Sequence, residues 1–337
     1  MASRSSNFNL PVLPAVRSAR TAARTVPATP PPPRRRRRKG WWLPYALIVP
    51  ALLLELLIHI LPMLFGIWIS LIHLSQLTIR NWTTALFVGL QNYRTGLSFS
   101  NPIGHEFFAS LLRTVWYTVL VVGISWAFGM AAAVCCNSTF RGRSFFRTLF
   151  LVPYALPVFV SVVGWSFMLN KSNGAINSAL MGLHITAHPP FWLLGSHAFW
   201  LTVMVAIWKL WPFPFLMLLA SLQNIPDDVY EAASLEGAGS FTQWRRITLP
   251  MVRPSNIVVV LVMVLWTFND FNTPFLLFGA APPESARLLS LHIYVNSFVN
   301  WNFGLGAALS VLLLIVLMIA SVVYLRVVLP KEEKANA

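Results

Sequence analysis

Six stretches of this chain, each more than twenty residues of nearly unbroken apolar side chains, decide most of what it can fold into: roughly 43–72, 114–136, 145–168, 199–222, 255–279 and 304–329. A helix packed on a water-soluble core needs an apolar stripe on one side only, whereas these runs are apolar all round and long enough to cross a hydrocarbon layer about 30 Å thick. With 56% hydrophobic and only 10% charged residues, the chain has too little polar surface to cover them in water. Lipid is the solvent, and there the backbone must satisfy its own hydrogen bonds, which such long runs do as helices. The expected fold class is therefore all-α, a polytopic membrane protein with six transmembrane helices. The first run is too long for a secretory signal and lacks a small-residue cleavage site after it, so it is read as a retained span. Cys135 and Cys136 are adjacent at the expected end of the second span. They imply neither a disulfide framework nor a metal site.

The formal net charge of +15 invites a nucleic-acid reading, but the placement of the cations argues for membrane orientation. With a cytoplasmic N-terminus, the inside segments hold 19 Lys and Arg against 5 in the outside loops, and 9 against 5 without the N-terminal tail. That is the sense of the positive-inside rule, and six spans return the C-terminus to the cytoplasm. No nucleic-acid partner is expected; membrane lipid is.

Three regions follow: residues 1–40, a basic Pro/Arg-rich tail expected to be disordered; residues 41–330, the six-helix domain; and residues 331–337, a short cytoplasmic tail. The first ends in PPPPRRRRRKG, from Pro30 to Gly40, and offers little apolar surface to offset the entropy of ordering. Its arginines suit anionic lipid headgroups. Residues 76–97 and the partly apolar stretch to Arg113 are expected to form an outer loop, in which Asn81-Trp82-Thr83 has the form of a glycosylation acceptor. Pro153 and Pro157 in the third span, and Pro212 and Pro214 in the fourth, free backbone carbonyls that a neighbouring group or a water-lined cavity must satisfy.

Between the fourth and fifth runs lies a polar interlude, QNIPDDVYEAASLEGAGSFTQWRRITLP. Pro226 suits a first helical position, and Asp227 and Asp228 complement the positive end of a helix dipole. The helix should run to Glu236 and turn at Gly237-Ala238-Gly239. A second short helix, Phe241 to Thr248, should follow and stop at Pro250. On physics alone this is a docking knob or an amphipathic loop lying on the membrane surface, on the side that Arg245, Arg246 and Arg253 mark as cytoplasmic.

Glu231-Ala232-Ala233, Gly237 six residues after the glutamate, then Ile247, Leu249 and Pro250 resemble, at every defining position, the EAA loop of permease subunits in binding-protein-dependent ABC importers. The likeness runs from about residue 60 to 329. LVPYALPVFVSVVGWSFMLN (Leu151 to Asn170), GAIN (Gly174 to Asn177), WKLWPF (Trp208 to Phe213) and LQNIPDDVYEAASLEGAG (Leu222 to Gly239) resemble the maltose and glycerol-phosphate type sugar permeases, the larger of two non-identical permease subunits. The resemblance implies a cytoplasmic coupling-helix loop seated in a groove on a partner ATPase, with Glu231 bonded to that ATPase and Gly237 permitting the bend. It also implies a second permease, two copies of the ATPase, an extracytoplasmic sugar-binding protein and a bacterial inner membrane. Two positions depart: Glu236 replaces the family's aspartate, and Ala280-Ala281-Pro282 replaces a glycine-glycine-proline.

Ionisable residues within spans are costly and mark function by default. Lys209 and Asp270 each lie about 14 to 15 Å from an outer span end, at about 1.5 Å per residue, and are expected to be able to pair. Trp208, Trp211 and Phe213 surround the lysine; Thr267, Asn269 and Asn272 flank the aspartate. Flat apolar faces mixed with amides, hydroxyls and a carboxylate suit a carbohydrate. Thr267 and Asp270, three apart, are expected to share a helical face. The resemblance adds that positions matching Tyr154, Lys209, Phe213, Thr267 and Asp270 line the substrate pocket. Glu55 and His59 also share a face and serve either structure or function. There is no GxxxxGK[ST], HExxH or GxSxG, so no catalytic residue, metal site or cofactor is expected, and ATP belongs to a partner. A membrane-embedded enzyme and an ion-coupled carrier using Glu55, His59, Lys209 or Asp270 remain the alternatives.

Overall fold

The computed structural model describes residues 42–328; the tails expected at 1–40 and 331–337 lie outside the described residues. Two bodies are described separately, meeting in sequence at Glu55 and Leu56. Of the first, the described part is helix α1 (Leu43–Glu55), with Pro50 inside it.

The second body opens with a π-helical turn, Leu56–Ile60, and α2 (Leu61–Ile69). A loop holding residues 81–83 in a 3₁₀ turn leads to α3 (Gln91–Leu97) and α4 (Pro102–Asn137). Then come α5 (Arg143–Ala155), α6 (Val158–Met168), α7 (Ala175–Gly182), α8 (His197–Leu210) and α9 (Pro212–Leu222). The polar interlude supplies α10 (Asp227–Leu235), α11 (Ser240–Gln243), a π turn at Trp244–Thr248 and α12 (Leu249–Met251). The chain finishes with α13 (Arg253–Phe268), α14 (Asn272–Phe278), α15 (Leu289–Tyr294) with its π-helical extension Val295–Val299, and α16 (Phe303–Val328).

By length and composition, five of the described stretches are able to cross a bilayer: Tyr45–Ile69, Pro102–Asn137, His197–Leu222, Arg253–Phe278 and Phe303–Val328. The third expected span, 145–168, is not one straight helix. α5 and α6 meet at 89°. Pro157 causes the break, because its ring excludes the residue before it from helical backbone. Leu156 is accordingly extended, at φ −69° and ψ 141°. The second span also starts twelve residues before the expected 114, within what was expected to be loop. Asn101 caps it, its Oδ1 accepting the Gly104 amide at 2.8 Å, and Pro102 opens the first turn, the usual placing of both residue types.

α4 organises the bundle, packing on α9, α13 and α8. Among lipid-bathed helices, close backbone approach matters more than escape from water. Gly129 on α4 makes this approach possible, since a Cβ there would meet the Phe215 amide nitrogen of α9 at 2.7 Å. Met130, Ala133, Phe215, Leu218 and Leu222 fill the seam. At the other end of α4, Arg113 donates to Glu106 at 2.8 Å and to the Arg287 carbonyl at 3.3 Å, fastening the segment between α14 and α15 to the bundle. Behind it sits His292, whose imidazole burial pushes down to about 4. Burial disfavours the charged ring, so it is neutral at pH 7. Sequence patterning did not anticipate that α15 would be buried on all sides, at Leu289, Leu291, His292 and Ile293.

Candidate functional site

Two places concentrate the candidate residues, and the first is the polar interlude. Pro226 stands just outside α10 as its cap residue, at φ −62° and ψ 138°, rather than inside the first turn, while Asp227 and Asp228 do occupy that turn. The helix ends in a hydrogen-bonded stop: the Ala238 amide donates to the Ala233 carbonyl at 2.9 Å and the Gly237 amide to the Ser234 carbonyl at 3.0 Å. This closure needs a left-handed residue. Gly237 supplies it at φ +81°.

The second arm does not stop at Pro250. It continues through α12 to Met251, because the preceding turn is π-helical and the Leu249 amide reaches back to the Trp244 carbonyl. The wider turn accommodates Pro250, which has no amide to continue the ordinary ladder. Pro62 follows the π turn at Leu56–Ile60 in the same way. The arms are tied together. Gln243 Nε2 donates to Ser234 Oγ at 2.9 Å and to the Ala238 carbonyl at 3.0 Å, and the Tyr230 and Thr248 hydroxyls lie 3.0 Å apart.

Of the residues predicted for this element, Glu231, Ala232, Glu236, Gly237 and Pro250 are exposed, while Ala233, Ile247 and Leu249 are half-buried. Leu249 packs against the α4–α9 seam, so it anchors the loop rather than facing outward. Leu235 and Phe241, which sequence reasoning passed over, stand 91% and 70% exposed at the turn. Large apolar side chains so placed suit a surface that another protein covers. A cavity of about 940 Å³ separates the loop from the end of α4 and from Arg143 and Arg147.

The second place is a cavity of about 190 Å³ within the bundle, lined among others by Tyr117, Lys209, Trp266, Thr267, Asp270 and Asn272. Lys209 does not pair with Asp270. Its Nζ donates to the Pro153 carbonyl at 2.9 Å, the Tyr154 carbonyl at 3.2 Å and the Leu156 carbonyl. The reason lies in the broken third span: α5 ends at the proline break with carbonyls that lack helical partners, and a cation at a helix C-terminus answers both their hydrogen bonding and the dipole.

Asp270, unlike Lys209 on α8, is not on a helix. It sits in the gap between α13 and α14, so it and Thr267 do not share one helical face, although both line the cavity. Its Oδ1 accepts the Thr273 amide at 3.0 Å and its Oδ2 accepts the Tyr117 hydroxyl at 2.7 Å. The first of these bonds satisfies an amide in the first turn of α14. Ser290 Oγ donates to the Asp270 carbonyl at 2.8 Å. Tyr117 and Ser290 were missed; a phenol in the middle of an apolar span was the available signal for the first.

Tyr154 and Phe213 form an aromatic row beside the cavity rather than its wall, with ring centroids 6.3 Å apart and Phe213 4.9 Å from Trp266. Trp208 packs against Trp165 at 5.7 Å. Glu55 closes the first body, His59 lies in the second, and both are exposed.

Residues 120–331 match the family described as the binding-protein-dependent transport system inner membrane component. The chain is 34% identical to the trehalose/maltose transport system permease protein MalF of Thermococcus litoralis, over 84% of this chain and 92% of that one. It is 31% identical to a probable ABC transporter permease protein of Brucella abortus, covering 86% and 98%. It is also 31% identical to the sn-glycerol-3-phosphate transport system permease protein UgpA of Agrobacterium fabrum, covering 82% and 91%. Among solved structures, a chain of a bacterial ABC transporter involved in the import of the acidic polysaccharide alginate superposes with a TM-score of 0.72 at 19% identity, over 85% of this chain and 95% of that chain. That likeness speaks to the fold.

Proposed function

Because the chain belongs to the family of inner-membrane components of binding-protein-dependent transport systems, we propose that it is the permease subunit of an ABC sugar importer, forming part of the path by which a carbohydrate delivered by an extracytoplasmic binding protein crosses a bacterial plasma membrane. The bent pair α5–α6 serves as the third of six spans, and both termini face the cytoplasm. A second, non-identical permease completes the path. Two copies of an ATPase subunit bind and hydrolyse ATP, so this chain is itself neither an enzyme nor a cofactor protein.

The observation that carries the reading is the tied two-arm loop, held rigid by its own hydrogen bonds and presenting Leu235 and Phe241 to a partner. A rigid handle transmits displacement; a floppy one absorbs it. Glu231, Ala232, Glu236 and Gly237 lie on its exposed side, where the ATPase seats. Leu249 and Tyr230 pack the loop against the α4–α9 seam, Ala233 and Ile247 are half-buried, and Pro250 lies in α12, which leads into α13. ATP-driven movement of the ATPase then reaches two interruptions beside the cavity, at Leu156-Pro157 and at 269–271. Interrupted helices next to a binding cavity are places where backbone pivots and polar ends meet a solute. Lys209, Thr267 and Asp270 are the polar groups there, with Tyr154, Phe213 and Trp266 as the aromatic row.

The test is reconstitution. The complete complex should hydrolyse ATP faster only when the loaded binding protein is added, and should take up sugar in an ATP-dependent manner. Glu231→Lys and Gly237→Pro should each reduce uptake more than tenfold while this subunit stays in the membrane. Sugar uptake driven by an ion gradient without ATP, or full activity in both variants, would overturn the proposal.

A further inference from the structure

We infer that the solute admitted by the cavity beside Asp270 is uncharged and hydroxyl-rich rather than anionic, an inference that rests on the carbohydrate-transport reading above. The names of the relatives leave this open, since trehalose and maltose are neutral and sn-glycerol-3-phosphate is an anion. The hydrogen bonding inside the cavity does not. An ammonium group has three protons to give. Lys209 gives all three to backbone carbonyls, those of Pro153, Tyr154 and Leu156. Lys209 is also the only cationic side chain among the residues lining the cavity. No charged donor is left to receive a carboxylate, sulfonate or phosphate.

The opposite partner is open. A carboxylate has about four acceptor positions. Asp270 fills two of them with the Tyr117 hydroxyl and the Thr273 amide. The rest face a solute as acceptors, which suits hydroxyl groups. The two opposite charges on the wall offset each other for a solute of either sign, so hydrogen bonding decides, and an anion finds no free donor on Lys209 and an acceptor in Asp270. A cation gains little, because the Lys209 charge lies on the same cavity wall. Thr267 and Asn272 add a hydroxyl and an amide, and Trp266 a flat apolar face, none of which selects for charge. The break in the third span thus shapes the chemistry of this cavity: by drawing Lys209 to its carbonyls, it occupies the donors that would have bound an anion.

The experiment uses the complete reconstituted complex with its binding protein, and compares ATP-driven uptake of neutral oligosaccharides with that of uronates of matched length and linkage. Neutral sugars should exceed their uronate partners by about tenfold or more, a factor equivalent to ~1.4 kcal/mol. Asp270→Asn should narrow that ratio several-fold, a change that selectivity in the binding protein cannot produce. Asn272→Asp adds a carboxylate at the first position of α14, where an acidic residue is well tolerated. It should widen the ratio by a similar factor. Uronate uptake equal to or above neutral uptake in the unaltered complex overturns the inference and leaves the sugar reading standing. A ratio unmoved in both variants, each present at normal membrane level, also overturns it. Failure of every carbohydrate, with ATP hydrolysis stimulated by another solute class, overturns the carbohydrate reading and this inference with it.

Discussion

The two-arm loop and the cavity hold their shapes by opposite means. In the loop, every hydrogen bond that fixes the bend joins residues close in sequence: Ala238 to Ala233, Gln243 to Ser234, and, at the longest reach, Tyr230 to Thr248 across eighteen positions. In the cavity, Lys209 reaches back 53 to 56 residues to the broken third span, and Tyr117 reaches forward 153 to Asp270. A locally wired element keeps its form while it moves as a body; a cavity wired between distant spans changes form whenever those spans shift. That division suits the handle and gate proposed above, and substitutions at each end of the scale can break it.

The largest effect is expected from Lys209→Met. Methionine fills similar volume but gives no proton, and the carbonyls of Pro153, Tyr154 and Leu156 lose their donor at the depth of the bilayer. An unsatisfied carbonyl away from water costs about 1–3 kcal/mol, but the Tyr154 and Leu156 carbonyls are bonded at exposed positions where water replaces part of the loss, so the bent segment should lose about 1–3 kcal/mol in all. Thermal unfolding of the purified complex and the amount of subunit in the membrane both report this. A double-mutant cycle with Asp270→Asn sharpens it: with no shared bond, the coupling between the two charges on one cavity wall should stay well below the loss from Lys209→Met alone. Recovery of most of the loss in the double variant would restore the direct Lys209–Asp270 pairing that spacing alone had suggested.

Tyr117→Phe comes next. It keeps the buried ring and deletes only the hydroxyl at 2.7 Å from Asp270. Hydrogen bonds to a charged acceptor contribute about 1.5–3 kcal/mol, and water entering the cavity offsets part of that. Uptake should fall about tenfold through a higher half-saturation concentration, with ATP hydrolysis by the unstimulated complex unchanged. A fall in hydrolysis without any change in apparent affinity would move Tyr117 from the solute cavity to the coupling route.

The same contrast explains what was legible in the sequence. Span positions, the acidic first turn of α10 and the bend at Gly237 are properties of a few neighbouring residues, so composition and local chemistry reveal them. The start of α4 is equally local, in Asn101-Pro102, but the partly apolar stretch from there to Arg113 is also compatible with a loop. The partner of Lys209 was not legible. Depth alone put it level with Asp270, and only the 89° break, which turns freed carbonyls toward α8, decides between the two. Nor did the sequence declare the gap at 269–271, because Thr267-Phe268-Asn269-Asp270 reads as well on a helix as off one. Asp270 reaches the Thr273 amide in the first turn of α14 because the chain has already left α13.

Gly237→Val tests the loop's local logic. Gly237 sits at φ +81°, whereas Gly239 sits at φ −71°. A β-branched residue in the left-handed region costs about 1–2 kcal/mol, while Gly239→Ala places alanine where any residue fits and should be nearly silent. Uptake and stimulated ATP hydrolysis should fall together in the first variant, several-fold, and stay within about a factor of two in the second. Equal damage from both would mean that the bend depends on small size rather than on backbone hand.

The smallest effect is also the most discriminating. Tyr230→Phe removes one of the two hydroxyls that join α10 to the π turn at Thr248, and leaves Gln243 still bridging the arms. A neutral contact of this kind contributes about 0.5–1.5 kcal/mol. The loop should stay folded and the ATPase should stay bound. What changes is stiffness: an arm that gives way under load lets hydrolysis proceed without the matching shift in the spans. The expected outcome is a stimulated hydrolysis rate near that of the unaltered complex, with the sugar moved per ATP consumed reduced by about half. Adding Gln243→Ala, which removes the second tie, should lower that ratio further than the sum of the two single changes. A ratio untouched in the double variant would show that the arms need not move as one body, and the handle would then have to be α10 alone.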